Sequence, residues 1–465
     1  MVAMGAVLSA CDSLTDFGDI NTDPNRVKDA TPESFLAPVI YTSTWDYMQY
    51  GHRLTNEFVQ YSVHNSELNE FHRYVVPHTE SNNIWSRFYR NLTDVVDMER
   101  RAEERGNPNY VAIAKIWKAF VFANLTDMFG PVPYHEALQA DQGGTLQPSF
   151  DTQEEVYKQI LKELEEANAL FNFQRNIHAQ HDILYGGNLQ RWQRFANSLR
   201  LRLLLRVSNR AEMNAGAQIA QILGSPSTHP VITSNQEAAV LRYSGTRPNI
   251  SPFSDWRPLE FNGNRRATAR MVNTLQSLND PRLQRFLMPA ATGGWIGIPS
   301  GWADMPPTNS ATYNNNLHRA DQPAILLSYA EMEFIRAEAI LRGWVAGDAG
   351  THYRRGIEAS MQFWGASVPA GYLDQPAVAW NGTLERLMEQ KWIALFWSGM
   401  EGWHEYRRTG LPNLVAGPGA RNDGIVPTRL RYPSTVQALN GANYDAGVQL
   451  LGGPDNLQTK VWWAR

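Results

Sequence analysis

The stretch NLTDMFGPVPY, residues Asn124–Tyr134, follows an apolar helical run over residues 111–122. Glycine readily adopts the left-handed conformation that closes a helix, and proline prevents the helix from continuing. Gly130, Pro131 and Pro133 therefore predict a sharp stop followed by a rigid, extended exit. The stretch indicates a buried helix whose end is set by its own sequence.

Helical periodicity dominates two blocks of the chain, residues 31–223 and 324–409. In the clearest case apolar residues recur at steps of three and four, the spacing of one buried helix face, and Asp151 precedes them as the expected cap. These apolar residues are Val156, Ile160, Leu164, Ala167 and Leu170. The other main helices are predicted over Phe35–Ser62, Asn83–Arg105, Pro108–Met128, Leu189–Asn209, Leu327–Trp344, Asp348–Trp364 and Thr383–Arg408.

The predicted helices are amphipathic and joined by short turns, which is typical of antiparallel helical pairs. The pairs are similar to tetratricopeptide units, but the consensus does not recur at a fixed spacing, so the repeat is degenerate. Few segments alternate between apolar and polar residues as strands do. We therefore expect a mainly α-helical fold of four helix-pair units with little β structure.

Between the two helical blocks, residues 224–323 contain repeated clusters of Pro, Gly, Asn and Ser. A long irregular stretch is usually functional or disordered, and the aromatic residues in this one argue against disorder. Residues 410–465 are again mostly irregular and are expected to wrap the helical body. We interpret residues 12–465 as a single domain in which the insertion 224–323 forms a loop-rich binding face.

Composition excludes several classes of function. A net charge of −4 argues against a nucleic-acid partner, which needs a basic surface. No segment approaches the ~20 apolar residues of a membrane-spanning helix. The 43% hydrophobic and 19% charged shares are ordinary for a globular chain with a sizeable core.

No motif supports a metal, a nucleotide or another cofactor. Residues 19–23 begin like an EF-hand loop, but Pro24 and Ala30 replace the required glycine and bidentate acid. Two His-Glu pairs, at 135–136 and 404–405, lack the second histidine of a zinc-protease motif. The chain has neither a phosphate-binding glycine loop nor a nucleophile elbow.

The opening stretch, extended to His135-Glu136-Ala137, resembles the TD-x-[FY]-G-x-[IV]-PY-x-EA signature of the SusD/RagB family of Gram-negative bacterial surface lipoproteins. Further segments resemble the family's other motifs in the expected order, so the resemblance covers nearly the whole chain. They are residues 151–154, 191–202, 279–283, 328–339, 390–396, 405–410 and 429–433. The resemblance implies a protein that captures a nutrient, usually an oligosaccharide, and hands it to a SusC-like, TonB-dependent outer-membrane transporter.

Cys11 is the only cysteine, so the chain has no intrachain disulfide. Residues 8–11, Leu-Ser-Ala-Cys, resemble a bacterial lipobox, in which the cysteine is lipidated and becomes the mature N-terminus. No Lys or Arg precedes Cys11, so either the signal is truncated or the segment is not a signal. We favour truncation because the small-residue site is correctly placed, and we interpret residues 1–11 as the remainder of the signal. A lipidated Cys11 would hold the protein on the outer membrane, surface-exposed, by its anchor alone.

Aromatic residues in the irregular stretch are the first candidates for ligand binding: Trp256, Trp295, Trp302 and Tyr313. Indole and phenol rings offer flat platforms with a polar edge, which suit the apolar faces of sugar rings. Hydrogen-bonding residues flank these rings, namely Asp255, Arg257, Asn262, Asp304 and Asn309. The family resemblance supports this choice, because SusD-like proteins build their glycan site from loops on one face.

A second candidate group lies in the loop between the first two predicted helices and comprises Asn65, Phe71, His72 and Tyr74. For any single loop aromatic, an equally good interpretation is that the ring pins its loop to the body. Three alternatives to glycan binding remain open: a RagB-like peptide-binding protein, a helical scaffold without a small-molecule ligand, and a glycosidase. A glycosidase needs two cleft acids, and the available ones, Glu331, Glu333, Glu338, Glu401 and Glu405, are better explained by ion pairs and helix packing.

Overall fold

The computed structural model describes residues 30–465 apart from 68, 258 and 307, and Cys11 lies outside this part of the chain. Helices make up 54% of the structure and strands 5%, which confirms the mainly α-helical class. The helices before the insertion are α1 (Pro32–Tyr50), α2 (Asn56–Phe58), α3 (His78–Glu104), α4 (Pro108–Phe129), α5 (Gln153–Leu170), α6 (Leu189–Arg206) and α7 (Ala215–Gly224). The later helices are α8 (Ala269–Ser277), α9 (Leu283–Phe286), α10 (Tyr329–Leu341), α11 (Ala349–Phe363), α12 (Leu384–Ala394), α13 (Glu401–Thr409), α14 (Ser434–Leu439) and α15 (Gly441–Leu451).

Helices pack in pairs, α1 with α3, α4 with α5, α6 with α7, and α10 with α11. Neighbouring pairs also touch, because α3 packs on α4 and α5 packs on α6. Helix α4 is buried along most of its length, as expected for a helix that is apolar on all sides. Completely buried tryptophans, among them Trp117, Trp192 and Trp403, fill the space between the pairs.

Helix α4 ends where the sequence predicts. Gly130 has a φ of +87°, and its amide donates to the carbonyl of Thr126 at 2.7 Å. The residue that caps α5 differs from the expectation: it is Thr152, whose hydroxyl accepts from the amide of Glu155. Asp151 instead pairs through its backbone with Val132, and its carboxylate accepts from two amides of the Pro-rich exit. The cap prediction failed because Asp151 binds a segment that is distant in sequence.

Two predicted helices differ from the structure because of tertiary contacts. The first predicted helix stops at Phe58, since residues 62–64 pair with another strand. The helix predicted over Thr383–Arg408 is two helices, separated by Trp397 and Gly399, both with positive φ. A Cβ at Gly399 would overlap the ring of Tyr47, so only glycine fits this break.

Residues 410–465 are less irregular than expected, because they include α14 and α15.

Short antiparallel ladders fasten the insertion to the helices. The strands are β1 (Ser62–His64), β2 (Ala239–Leu241), β3 (Arg265–Ala267), β4 (Leu287–Met288), β5 (Thr312–Tyr313) and β6 (Ala324–Leu327). Strand β1 pairs with β3, β2 with β6 and β4 with β5. The β1–β3 ladder brings the loop after α2 beside the insertion, so the two predicted groups of ligand-binding residues lie close together.

Candidate functional site

Three loop segments lie together on one surface, which we call the loop face: residues 59–77, 289–311 and 410–425, with positions 68 and 307 left aside. The side-chain amide of Gln60 donates to the carbonyl of Val415 at 2.8 Å. The amide of Arg421 donates to the carbonyl of Arg73, and the amide of Gly419 to that of Gly301, both at 2.7 Å. These bonds join segments from three distant parts of the chain.

Trp302 is the junction of the loop face. The ring of His72 stacks on its indole with centroids 4.9 Å apart, and the Arg73 guanidinium lies 4.3 Å from the indole centroid. Its Nε1 donates to the carbonyl of His64 at 2.9 Å. Trp302 is 4% exposed, so in this conformation its ring holds the loops together and has no face open to a ligand.

Trp295 has a different environment. It is half-buried and forms one wall of an open cavity of about 620 Å³ between α8, α9 and the end of α11. Both polar and apolar residues line the cavity. The lining residues besides Trp295 are Leu275, Gln276, Asn279, Asp280, Pro281, Leu283, Gln284, Arg285, Ala366 and Ser367. A flat ring beside amides and a guanidinium in a cavity of this size suits a sugar residue.

The backbone around Trp295 is held firmly in place. The amide of Ala311 donates to the carbonyl of Ile296 at 2.7 Å, and the amide of Ile298 donates to the carbonyl of Ala267 at 3.0 Å. Between them, Gly297 approaches the backbone of Ala269 so closely that a Cβ would lie 2.5 Å from its Cα. The cavity wall therefore belongs to a fixed segment, which favours a preformed site.

The other two aromatic residues of the first group, Tyr313 and Trp256, pack against other aromatic side chains of the protein. Tyr313 is fully buried, its hydroxyl accepts from the side-chain amide of Asn56 at 3.2 Å, and its ring lies edge-on to Phe396. Trp256 is half-buried and meets Trp45 edge to face, with centroids 5.6 Å apart. The four aromatics therefore do not line one cavity, and Trp295 is the one that faces a sugar-sized space.

The second predicted group is buried as well. Asn65, Phe71, His72 and Tyr74 all have less than a tenth of their surface exposed. Phe71 borders a small cavity of about 260 Å³ beside Glu70 and Glu80. His72 supports Trp302, as described above. Glycan contact by these residues remains a prediction, and in this conformation they mainly order the loop.

Burial favours the neutral form of two histidines near Trp302. Burial, assisted by the neighbouring Arg73 charge, lowers the pKa of His72 to about 3. Burial and Arg265 lower the pKa of His64 to about 4. Burial raises the pKa of Glu57 to about 7, although Arg265 pairs with its carboxylate at 2.7 Å and opposes the shift. The same Glu57 carboxylate accepts from the amide of His72 at 3.1 Å and so connects the loop to α2.

The acids considered for glycosidase chemistry belong to the helical interior. Arg202 pairs with Glu331 at 2.5 Å, and Arg408 pairs with Glu338 at 2.7 Å. Glu401 pairs with Arg206, which also pairs with Asp127 of the opening stretch. Glu405 pairs with Lys391 and Arg408. These ion pairs are buried between helices. Of the two explanations that the sequence suggested, ion pairs on the surface and helix packing, the structure therefore favours helix packing. None of these acids lines a cavity described above.

Sequence reasoning missed most of the residues that surround Trp295. No sequence motif pointed to four of the lining residues, which are Gln276, Gln284, Arg285 and Ser367. The signal available was residues 279–283, Asn-Asp-Pro-Arg-Leu, which resembled a family motif but had no assigned role. Arg73 was also missed, although it directly follows His72. Among the described residues, no group of His, Cys, Asp and Glu is arranged to hold a metal ion, and no helix has the length and apolar content to span a bilayer.

Comparison with known proteins gives consistent results. A SusD-like family model, described as starch-binding associating with outer membrane, matches residues 24–433. A solved chitin-binding protein is 25% identical with a TM-score of 0.81, covering 94% of this chain and 100% of that one. A SusD homologue from Bacteroides uniformis ATCC 8492 is 27% identical with a TM-score of 0.81, covering 93% and 98%.

The same fold occurs in a chitin-binding SusD homologue from Flavobacterium johnsoniae, which is 24% identical with a TM-score of 0.83 and covers 93% and 98% of the two chains. A search of curated protein sequences gives no significant match. The structural matches therefore extend over almost the whole of this chain and of each relative.

Proposed function

This chain belongs to the SusD-like family, and from that membership we propose that it captures an oligosaccharide and passes it to a SusC-like, TonB-dependent outer-membrane transporter. The family's description as starch-binding and associating with the outer membrane supports the glycan and the location. The name of the chitin-binding relative points in the same direction. In this proposal the protein binds its cargo and does not cleave it.

The observation that carries the proposal is the cavity beside Trp295. It offers one half-buried indole, a volume of about 620 Å³ and several side-chain amides. A sugar ring stacked on the indole would place its hydroxyls within reach of Gln276, Asn279 and Gln284. Because the cavity is open to solvent, we expect modest affinity, which suits a protein that must release its ligand to a transporter.

Attachment to the membrane is part of the proposal. Cys11 in its lipobox-like context would carry the lipid, and residues 12–465 would lie at the cell surface. A lipid on Cys11 would hold the protein at the outer membrane without a membrane-spanning helix. If cells keep a Cys11→Ala protein in the membrane fraction as fully as the wild type, the anchor is wrong.

The test of glycan binding is calorimetry with a panel of oligosaccharides, including starch and chitin fragments, against the wild type and Trp295→Ala. A central aromatic platform costs ~2 kcal/mol or more when truncated, so we expect affinity to fall tenfold or more. The matched control is Trp256→Ala, which removes an indole that does not line this cavity and should leave affinity nearly unchanged. Equal affinity of wild type and Trp295→Ala for every sugar that binds would contradict the assignment of this cavity.

A further inference from the structure

The Trp295 cavity has a single charged group that is free to meet a ligand. Two ionised residues line it, Asp280 and Arg285. The Asp280 carboxylate is fully engaged: Arg282 donates to it at 2.9 and 2.6 Å, and the Tyr372 hydroxyl at 2.6 Å. Asp280 and Arg282 are both buried and neutralise each other's charge. Arg285 therefore determines the charge of the cavity.

Arg285 is exposed on α9 and oriented by one bond, in which its Nη2 donates to the carbonyl of Gly365 at 2.6 Å. Among the described residues, no Asp or Glu lies within ion-pair distance of its guanidinium. Its remaining N–H groups are therefore available on the same side of the protein as the Trp295 indole. A guanidinium binds a carboxylate through two parallel hydrogen bonds, which lysine or an amide cannot reproduce.

Within the proposed glycan function, we propose that the Trp295 cavity takes a sugar that carries a carboxylate, a uronic acid residue, with Arg285 as its counter-ion. The pyranose ring stacks on Trp295, and the amides of Gln276, Asn279 and Gln284 receive the hydroxyls. A ligand with a carboxylate uses both the indole and the guanidinium.

The experiment compares each acidic oligosaccharide with its carboxyl-reduced form, which differs only in having a primary alcohol in place of the carboxylate. The probes are oligogalacturonides, oligoglucuronans and oligoalginates, measured by calorimetry against the full chain. For at least one pair we expect the acidic form to bind tenfold more tightly or better, with an advantage that shrinks as salt is raised.

Variants then assign that preference to one side chain. Arg285→Gln should remove the preference, so that the acidic and reduced forms bind with similar affinity, whereas Arg285→Lys should keep only part of the preference. Arg355→Gln is the control, because it removes the same charge from an exposed position on α11 that does not line the cavity. An unchanged thermal midpoint of Arg285→Gln would show that the variant is folded.

The outcomes separate this inference from the function on which it rests. If acidic and reduced forms bind the wild type equally, or only neutral glycans bind, the uronic acid inference is wrong and glycan capture stands. The same holds if Arg285→Gln keeps the full preference for the acidic form. If no oligosaccharide of either kind binds, both the inference and the proposed function fail.

Discussion

At the residue scale, two tryptophans of one loop have different environments. Trp295 and Trp302 both lie in a stretch rich in Gly and Pro, and nothing in their immediate sequence distinguishes them. Trp302 is covered by His72 and Arg73, which arrive from another loop. Trp295 faces a cavity lined by α8 and α9 of the same insertion and by residues that follow α11. We therefore predict that Trp302 holds the loops together and that Trp295 contacts the ligand.

Replacing Trp302 by Ala should destabilise the protein, because a buried indole, its stack with His72 and its hydrogen bond are lost together. Truncating a buried aromatic costs ~3–5 kcal/mol, so the midpoint of denaturant unfolding should fall clearly. Trp302→Phe should lose less, since it keeps a ring in the stack. An unfolding midpoint of Trp302→Ala equal to that of the wild type would argue that the indole is not a structural junction.

His72 gives a prediction about pH. Its folded-state pKa of about 3 lies below the unfolded value near 6.5, so the unfolded chain takes up the proton first as pH falls. The stability that neutral His72 contributes is complete above about pH 6.5 and is lost as pH falls from there towards 3. Relative to His72→Gln, the wild type should therefore lose its advantage between pH 7.5 and 5. Thermal midpoints at both pH values test this, and a constant difference would show that His72 is not buried as a neutral ring.

At the element scale, the motifs that resemble the family are largely helix-packing devices. Asp127 lies at the end of α4, Arg206 at the end of α6 and Glu401 at the start of α13, and they meet in one buried group. Arg408 of α13 pairs with Glu338 of α10 in the same way. Buried charges of this kind must all be matched, so each helix specifies the position of the others.

Arg206→Met should be strongly destabilising, because it removes the guanidinium that pairs with the buried carboxylates of Asp127 and Glu401. Glu401 would keep only its longer contact with Arg202 at 3.7 Å. Removing one member of a buried ion pair costs ~3–5 kcal/mol. The control is Arg100→Met, which breaks partly exposed pairs with Asp97 and Glu104 and should cost about 1 kcal/mol or less. Urea unfolding of both variants makes the comparison. A similar small loss in the two would mean that the interior group is not needed to hold the helices.

At the scale of the whole molecule, the C-terminal segment closes the helical body. Arg429 donates to the carbonyl of Phe129 at 2.9 and 3.1 Å, so it satisfies the end of α4 from a position far along the chain. Trp463 is fully buried, and its Nε1 donates to Asp127 at 2.6 Å. The segment expected only to wrap the body therefore completes its core.

Truncation after Gly453 should impair folding far more than the loss of a surface tail. It removes the Trp463 indole from the core and leaves Asp127 without one of its donors, and an unsatisfied buried carboxylate is costly. Expression yield and the thermal midpoint of the shortened chain test this. The matched control is Trp462→Ala, since this neighbouring indole is half-buried and should tolerate truncation better. A shortened chain as stable as the wild type would contradict a core role for the segment.

The sequence alone determined those features that depend on neighbouring residues. The three-and-four spacing predicted the helices, Gly130 predicted the end of α4, and the ordered motifs predicted the family. The first two are local, because helix periodicity and helix termination are set within a few residues, and the family follows from the order of motifs along the chain. The errors at Asp151 and in the helix over 383–408 arose where a distant segment, the Pro-rich exit or Tyr47, changed the local outcome.

Only the tertiary structure decided which aromatic rings remain accessible. The exposure of a ring depends on what packs against it. The ring of His72 covers Trp302. His72 also accepts a hydrogen bond from the amide of Gly301, which is 229 positions away in the sequence and directly precedes Trp302. The cavity likewise combines Trp295 with Arg285 and Ser367, which come from separate elements. The sequence indicated suitable residue types for a binding site. No local pattern shows which of them lie close together, because their proximity results from the burial of the whole helical core.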